Sequence, residues 1–335
     1  MQIDFPLSEP EVGKEELQNV SYCIKSNWIS ANGKFVAEFE KKFANYLGGG
    51  HAVAVSNGTT AIELALASLG IKKDDEVILP NFTFAGTINA VLNIGAKPVL
   101  VDCEKSTWTI DLQKISRAIN KKTKALLPVH IYGQPSKIDE IIDFAKRKKL
   151  KVIEDCAEAL GATYKNRKVG LDGDCTTFSF FPNKLITTGE GGMVVFKNKK
   201  DASKARQLLN QGRSNKKKYW HEYAGFNFRM TNLQAAVGVA QLKKINFFLK
   251  RRKEIFKSYD KLFEKHNFIG LLPKNKWSTN SCWIYHILIK NIGERKRDKL
   301  MNLLIKDGIE TRPGFYPLHS MRPFAKYGRG SYPIS

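Results

Sequence analysis

A lysine set between two apolar runs carries the strongest chemical signal in this chain. The segment Phe178-Ser179-Phe180-Phe181-Pro182-Asn183-Lys184 closes one candidate strand, residues 176–181. Leu185-Ile186-Thr187-Thr188-Gly189-Glu190-Gly191-Gly192 then leads into the next, residues 192–196. A primary amine held at a strand end can form an imine with an aldehyde, and desolvation favours its neutral, nucleophilic form. A lysine in a turn is ordinarily a solvated surface group, so Lys184 alone proves little. Two upstream elements set it apart.

The first is Ser56-Asn57-Gly58-Thr59-Thr60, between a candidate strand and a candidate helix. Free amides at a helix N-terminus, with Gly58 permitting close approach and Thr59 and Thr60 adding hydroxyls, make a cradle for an anion. The same residues also suit an ordinary capped helix start. The second is Val152-Ile153-Glu154-Asp155, which ends an apolar strand in carboxylates. Open α/β sheets present ligands beyond such strand ends. An aspartate there can hold a heterocyclic nitrogen protonated and make its ring an electron sink, although helix capping by Asp155 is an equal alternative. Ser179 adds a hydroxyl that can reach a phosphate. A phosphate cradle, a ring-nitrogen acid and an imine-forming lysine are together what pyridoxal phosphate requires.

These residues need a scaffold that brings several strand ends to one edge. Apolar runs at residues 51–55, 76–79, 98–101, 125–129, 151–155, 176–181 and 192–196 read as strands. Amphipathic stretches at 61–69, 85–93 and 137–148 read as helices between them. The alternation predicts a largely parallel seven-stranded sheet covered on both faces. Residues 14–26, 230–245, 246–266 and 294–307 carry further helical patterns, and the aromatic-rich run 282–289 reads as a strand. The expected organisation is a large domain over residues 1–245 and a small α+β domain over 246–335, the latter lacking a clear terminal helix.

Composition narrows the function class. Hydrophobic residues make up 42% and charged residues 26%, an ordinary globular balance. No apolar run is long enough for a membrane span and the first residues lack a signal-peptide layout, so a cytoplasmic protein without a membrane partner is expected. Five scattered cysteines and six dispersed histidines give no metal-ligand spacing, and no metal is expected. The net charge of +23 comes in short, separated basic runs without a recognition module, which argues against nucleic acid. Such a field still draws an anionic small molecule into a cleft.

The chain resembles sugar aminotransferases of the DegT/DnrJ/StrS type, within the fold-type-I pyridoxal phosphate enzymes. The resemblance runs from Pro6-Leu7-Ser8-Glu9-Pro10 to His319 through motifs in family order. They include Trp28-Ile29-Ser30, Ser56–Thr60, Pro80-Asn81-Phe82-Thr83-Phe84-Ala85, Pro128-Val129-His130-Ile131-Tyr132-Gly133 and Glu154-Asp155-Cys156-Ala157-Glu158. The lysine segment and Gly225-Phe226-Asn227-Phe228-Arg229-Met230-Thr231-Asn232 complete the set.

The resemblance implies an aspartate-aminotransferase-like α/β fold and pyridoxal 5'-phosphate held through an imine on Lys184. Asp155 would pair with the ring nitrogen, Phe84 would stack on the ring, and Thr59, Thr60 and Ser179 would take the phosphate beside Gly58. Glu158 falls near the cofactor hydroxyl, where many relatives carry Gln or His. Asn227 and Arg229 match a loop that reaches the neighbouring subunit's phosphate site, which implies a homodimer with composite active sites. Trp28, Lys34, Arg312, Tyr316 and His319 are candidates for the sugar cleft. Within the family the lysine segment looks most like the branch that aminates C4 of a GDP-linked 4-keto-6-deoxy sugar, with L-glutamate as donor, for surface polysaccharides.

Three rival readings have discriminators. A 3-dehydratase of the same family would carry histidine where Lys184 stands. Aminotransferases of UDP- or dTDP-linked 3- or 4-keto sugars differ only in the nucleotide pocket. A basic nucleic-acid-binding protein on a retired scaffold is told apart by colour, since an imine on Lys184 gives the purified protein an absorption at about 400 nm that Lys184→Ala removes.

Overall fold

The computed structural model describes residues 3–335. Helices α1 (Lys14–Lys25) and α2 (Lys34–Leu47) precede strand β1 (His51–Val55). Then α3 (Gly58–Ser68), β2 (Glu76–Pro80), α4 (Ala85–Asn93), β3 (Lys97–Val101), α5 (Leu112–Ala118) and β4 (Thr123–Leu126) alternate. Helix α6 (Ile138–Lys148) leads to β5 (Lys151–Asp155). A hairpin of β6 (Thr163–Tyr164) and β7 (Arg167–Lys168) separates β5 from β8 (Cys175–Ser179) and β9 (Gly192–Phe196). Helices α7 (Lys199–Leu208), α8 (Asn232–Lys243) and α9 (Ile245–Phe263) follow. The remainder holds β10 (Ile269–Leu271), β11 (Ser278–Thr279), β12 (Ile287–Ile289) and α10 (Glu294–Lys306).

Seven strands form one sheet in the order β1-β9-β8-β5-β4-β2-β3. Strand β9 runs antiparallel to both neighbours and every other pair is parallel. The alternation of side chains along each strand feeds two separate cores. Ala52 and Ala54 of β1, Val152 of β5, Phe178 of β8 and Met193 and Val195 of β9 enter one core, beneath α2, α6 and α8. Val53, Val55, Ile153, Cys175, Val194 and Phe196 enter the other, beneath α3, α4 and α7. A sheet buried on both faces requires such continuous apolar strands, which is why the runs were legible.

The parallel arrangement carries the ends of β1, β2, β5 and β8 to one edge. Glu40 of α2 helps fix β1 there, taking a fork from Arg206 at 3.0 and 2.7 Å and the Ala54 amide at 2.8 Å. A buried polar knot fixes β5. Glu154 Oε1 accepts from the Asp172 and Gly173 amides at 3.1 and 2.8 Å and from Thr176 Oγ1 at 3.3 Å. His130 Nδ1 accepts from the Ser136 amide at 2.9 Å, so Nε2 carries the hydrogen and donates to Glu154 Oε2 at 3.1 Å. His130, Glu154 and Cys156 have the spacing of a metal cluster. The hydrogen bonds already engage both imidazole nitrogens and both carboxylate oxygens, so His130 and Glu154 act as a brace.

The run 282–289 is a strand only over Ile287–Ile289, paired with β10. Cys282 has a left-handed backbone (φ 59°), with its amide bonded to Asn280 Oδ1 at 2.7 Å. Trp283 and Ile284 turn inward into a third cluster with Val129, Ile131 and Tyr132. Helix α8 begins two residues later than its apolar pattern, because Thr231 and Gln234 form a capping box. Beyond α10, Leu318 and Phe324 return to the second core. Tyr332 then donates to the Leu100 carbonyl at 3.3 Å. No helix among the described residues is long and apolar enough to cross a membrane.

Candidate active site

Lys184 sits in a turn just past β8, its amide donating to the Phe181 carbonyl at 2.9 Å. The turn is pinned where Phe180 exchanges backbone bonds with Gly191 and Thr188, at 2.8 and 3.0 Å. The lysine side chain is only 13% exposed, with Nζ 3.8 Å from Glu158 Oε1. It also lies 3.8 Å above the centroid of the Trp283 ring. Burial lowers the affinity of this amine for a proton, and the pull of Glu158 and Asp155 only partly offsets it.

Glu158 is held from the other side. The Tyr132 amide donates to Oε2 at 2.7 Å, and Ser281 Oγ donates to the Glu158 carbonyl at 2.6 Å. Burial raises its pKa to about 7, against the pull of Lys184 and the Tyr132 amide. At 3.8 Å the pair has the proximity of a salt bridge without a direct hydrogen bond. Desolvation outweighs attraction, so the carboxyl and amine both lean towards neutrality.

Tyr132, which presents that amide, has a left-handed backbone at φ 49°. Strain of this kind persists only when the surroundings impose it. Asn280 Nδ2 donates to its carbonyl at 3.0 Å, the Phe315 amide donates to its hydroxyl at 2.7 Å, and His286 stacks 3.6 Å from its ring.

Asp155 ends β5 with both oxygens bonded. Oδ2 accepts from Thr87 Oγ1 at 3.0 Å and Oδ1 from the Ala157 amide at 3.1 Å. Burial still raises its pKa, since two neutral donors do not replace water around a buried carboxylate. No cation hydrogen-bonds to it within the described residues. This carboxyl suits a protonated ring nitrogen.

The anion cradle is built across two elements. Asn57 caps α3, accepting the Thr60 amide at 2.9 Å. The amides of Gly58 and Thr59 have no acceptor among the described residues and are free for a ligand. A side chain at Gly58 would meet Ser179 Cβ at 2.8 Å and Oγ at 3.1 Å, so only glycine lets Ser179 stand beside this helix end. Thr59 Oγ1 and Phe84 Cδ1 both border Gly86, each 3.1 Å from where a Cβ on that glycine would lie. Thr60 also caps α3. Its hydroxyl donates to the Asn57 carbonyl at 2.9 Å and accepts the Asn57 amide at 3.2 Å, so its polar groups are engaged in capping.

Phe84 is 58% exposed at the start of α4, an unusual position for a phenylalanine in so buried a sheet and one that suits stacking. Asn227 and Arg229 lie on a segment bridged to Val55 at the end of β1. Arg229 donates to Asn227 Oδ1 and Asn210 Oδ1, each at 2.7 Å, and meets no carboxylate within hydrogen-bond reach among the described residues.

The proposed sugar residues do not form one cluster. Tyr316 accepts from Arg297 at 2.9 Å, and Arg312 pairs with Glu310 at 2.9 Å. They flank Phe315, whose ring lies 5.6 Å from Phe84 and 5.1 Å from Tyr132. His319 is drawn away: Asn81 bonds its Nδ1 at 2.8 Å and Tyr332 stacks on it at 4.6 Å. Trp28 and Lys34 belong to the α1–α2 junction, where the Trp28 carbonyl accepts from Asn232 and Lys34 lies over the Tyr22 ring. Sequence reasoning missed Thr87 and Trp283. Only the inward turn at Cys282 reveals the tryptophan, and the helical position of Thr87 gave no chemical signal.

The sequence profile of the DegT/DnrJ/EryC1/StrS aminotransferase family matches residues 10–334. The chain belongs to that family. GDP-perosamine synthase of Caulobacter vibrioides is 43% identical over 320 residues, covering 95% of this chain and 86% of that protein. GDP-perosamine synthase of Vibrio cholerae is 40% identical, covering 99% and 90%. Among solved structures, Streptomyces venezuelae DesV in complex with a ketimine intermediate shares 33% identity at TM-score 0.89, covering 96% and 85%. Spr1654 of Streptococcus pneumoniae in its PLP form superposes at TM-score 0.91 with 27% identity, covering 97% and 88%. The chain is a fold-type-I sugar aminotransferase and pyridoxal phosphate (PLP) is its cofactor. The free amides beside Ser179, the uncompensated Asp155 carboxyl and the buried Lys184 amine match that molecule's phosphate, ring nitrogen and aldehyde.

Proposed function

We propose that the protein transfers an amino group from L-glutamate to C4 of GDP-4-keto-6-deoxy-D-mannose, giving GDP-perosamine. The observation that carries this reading is the desolvated Lys184 amine facing Glu158, with Asp155 at the same sheet edge. The GDP-perosamine synthases at 40–43% identity supply the sugar and nucleotide in the proposal. PLP supplies an electron sink for carbanions next to nitrogen.

In this reading Lys184 holds the cofactor at rest and, once displaced by the incoming amine, removes the α-proton of glutamate and returns a proton at the reacting carbon. Burial keeps that amine neutral often enough, and the charges of Glu158 and Asp155 keep it basic enough, to serve both turns. Asp155 holds the ring nitrogen protonated, and Thr87 and the Ala157 amide keep its carboxylate aimed. Gly58, Thr59 and Ser179 bind the phosphate, and Phe84 covers the ring. Glu158 exchanges a proton with its surroundings near neutrality. A second subunit contributes Asn227 and Arg229 to the phosphate end, and Arg312 and Tyr316 border the sugar cleft beside Phe315. Glutamate and sugar use one site in turn, so initial rates follow ping-pong kinetics.

The test incubates the purified protein with L-glutamate and GDP-, UDP- and dTDP-linked 4-keto-6-deoxy sugars, followed by mass analysis. Aminated product from the GDP sugar supports the proposal. Product only from a UDP or dTDP sugar overturns the nucleotide assignment and leaves the reaction class standing.

A further inference from the structure

Trp283 connects the reactive lysine to three parts of the chain. Its indole Nε1–H donates to the Asn183 carbonyl at 2.8 Å, and that carbonyl belongs to the peptide bond leading into Lys184. The same ring receives Lys184 Nζ 3.8 Å from its centroid. Arg252 of α9 donates to the Trp283 carbonyl at 2.7 Å and to Ser8 Oγ at 3.1 Å. Ser8 Oγ in turn lies 3.4 Å from the Asn183 carbonyl. Trp283 is only 5% exposed and stacks 6.3 Å from Tyr132, the residue that anchors Glu158. One side chain thus fixes the backbone of the lysine turn and presents a π face to the amine.

We propose that Trp283 is a positioning residue for transamination: its N–H locks the Asn183–Lys184 peptide, and its ring face holds the Lys184 ammonium while the amine is free of cofactor. The proposal rests on Lys184 being the reactive lysine. Between its two turns as base, that amine carries a proton with little water near it. A carboxylate alone would bind the ammonium in one direction and compete with the substrate for it. An aromatic face attracts the cation without forming a directed bond, so the amine is stabilised and still free to swing.

The groups around the amine are few. Glu158 faces it from the turn after β5, and Asp155 from the strand end itself. The segment containing Trp283 also carries Cys282, whose thiol burial pushes up to about 11, Tyr285, whose hydroxyl donates to Asp260, and His286, which burial pushes down to about 4 and so keeps neutral. Arg252 lies behind the indole, on its carbonyl. Removal of the π face therefore leaves Glu158 and Asp155 unchanged and withdraws one stabiliser of the ammonium.

The test titrates Lys184 in the apoprotein by pH-dependent acetylation read by peptide mass, alongside hydrogen exchange of residues 181–186. In Trp283→Leu the lysine midpoint falls by roughly half to one and a half pH units, the equivalent of a partly desolvated cation–π contact. In Trp283→Phe the midpoint moves less than half as far, because a ring face remains. Exchange over residues 181–186 quickens, because the Asn183 carbonyl has lost its 2.8 Å indole donor and keeps only the 3.4 Å bond from Ser8. A folded Trp283→Leu protein with the wild-type midpoint overturns the ammonium role. Wild-type exchange in Trp283→Phe overturns the peptide lock. If the leucine variant does not fold, Trp283→Met takes its place: the same fall in midpoint is expected, and a folded Trp283→Met protein with the wild-type midpoint overturns the ammonium role. Failure of the wild-type apoprotein to turn yellow with PLP refutes the reading of Lys184 itself, whatever the labelling shows.

Discussion

Replacement of Glu158 by glutamine tests the electrostatics of the site without any substrate. The Glu158 pKa rises from its ordinary value of 4.5 to about 7, with burial as the main cause. The unfolded chain releases this proton near 4.5 and the folded chain near 7, so between those values the native state binds more protons. Stability therefore falls as pH rises through this window. Each pKa unit corresponds to 1.36 kcal/mol, so the penalty above pH 7 is on the order of 3 kcal/mol. Glutamine keeps an acceptor for the Tyr132 amide and cannot ionise.

The assay is urea unfolding of wild-type and Glu158→Gln apoprotein from pH 5 to pH 8, at fixed protomer concentration so that association does not intrude. The two should be closely matched at pH 5, and the variant should be more stable by about 1–3 kcal/mol at pH 8. Lys184 acts in the opposite sense, because its lowered pKa makes stability rise with pH. The Glu158 charge holds the Lys184 pKa up, so its loss in the variant enlarges this opposing contribution. A stability difference that stays constant from pH 5 to pH 8 would refute the assignment of Glu158 as a buried, neutral-leaning acid.

Two further substitutions probe the cradle and its support. Gly58→Ala places a methyl group 2.8 Å from Ser179 Cβ, which must push the serine from the helix end. PLP affinity, read by titration of the visible absorption, should fall at least about tenfold, the scale of one lost charge-assisted hydrogen bond. Gly238→Ala sets a Cβ 2.7 Å from Phe39 Cζ and 2.9 Å from Thr188 Cγ2. The clash should override alanine's better helix propensity and lower stability by about 1–3 kcal/mol, measured by urea unfolding. A stabilised Gly238→Ala protein would mean that α8 can move off the lysine turn.

The large sheet was legible because each strand must satisfy two cores. Residues such as Val152 and Ile153 are adjacent in sequence and enter opposite clusters, so the strand reads as an unbroken apolar run. The proposed catalytic pair was legible for a related reason. Asp155 and Lys184 interrupt or follow such runs, at strand ends where a polar residue needs a purpose. Residues whose roles depend on local turns were not legible. Thr60 has the composition of a phosphate ligand, and only the geometry at Asn57 shows that its hydroxyl also caps α3. The run containing Trp283 has strand-like composition, and the left-handed Cys282 turns it into the site. His319 is claimed by Asn81, a partner 238 residues away that no local pattern announces. The cleft candidates Trp28 and Lys34 are separated from Tyr316 by the fold, because sequence order carries no information about which surface they share.

Borohydride reduction of the PLP-loaded protein, followed by peptide mapping, probes the covalent chemistry at its source. A single pyridoxyl-modified peptide carrying the tag on Lys184, absent from a folded Lys184→Arg variant, is the predicted result. A tag on another lysine, or equal tagging of the variant, would contradict the account.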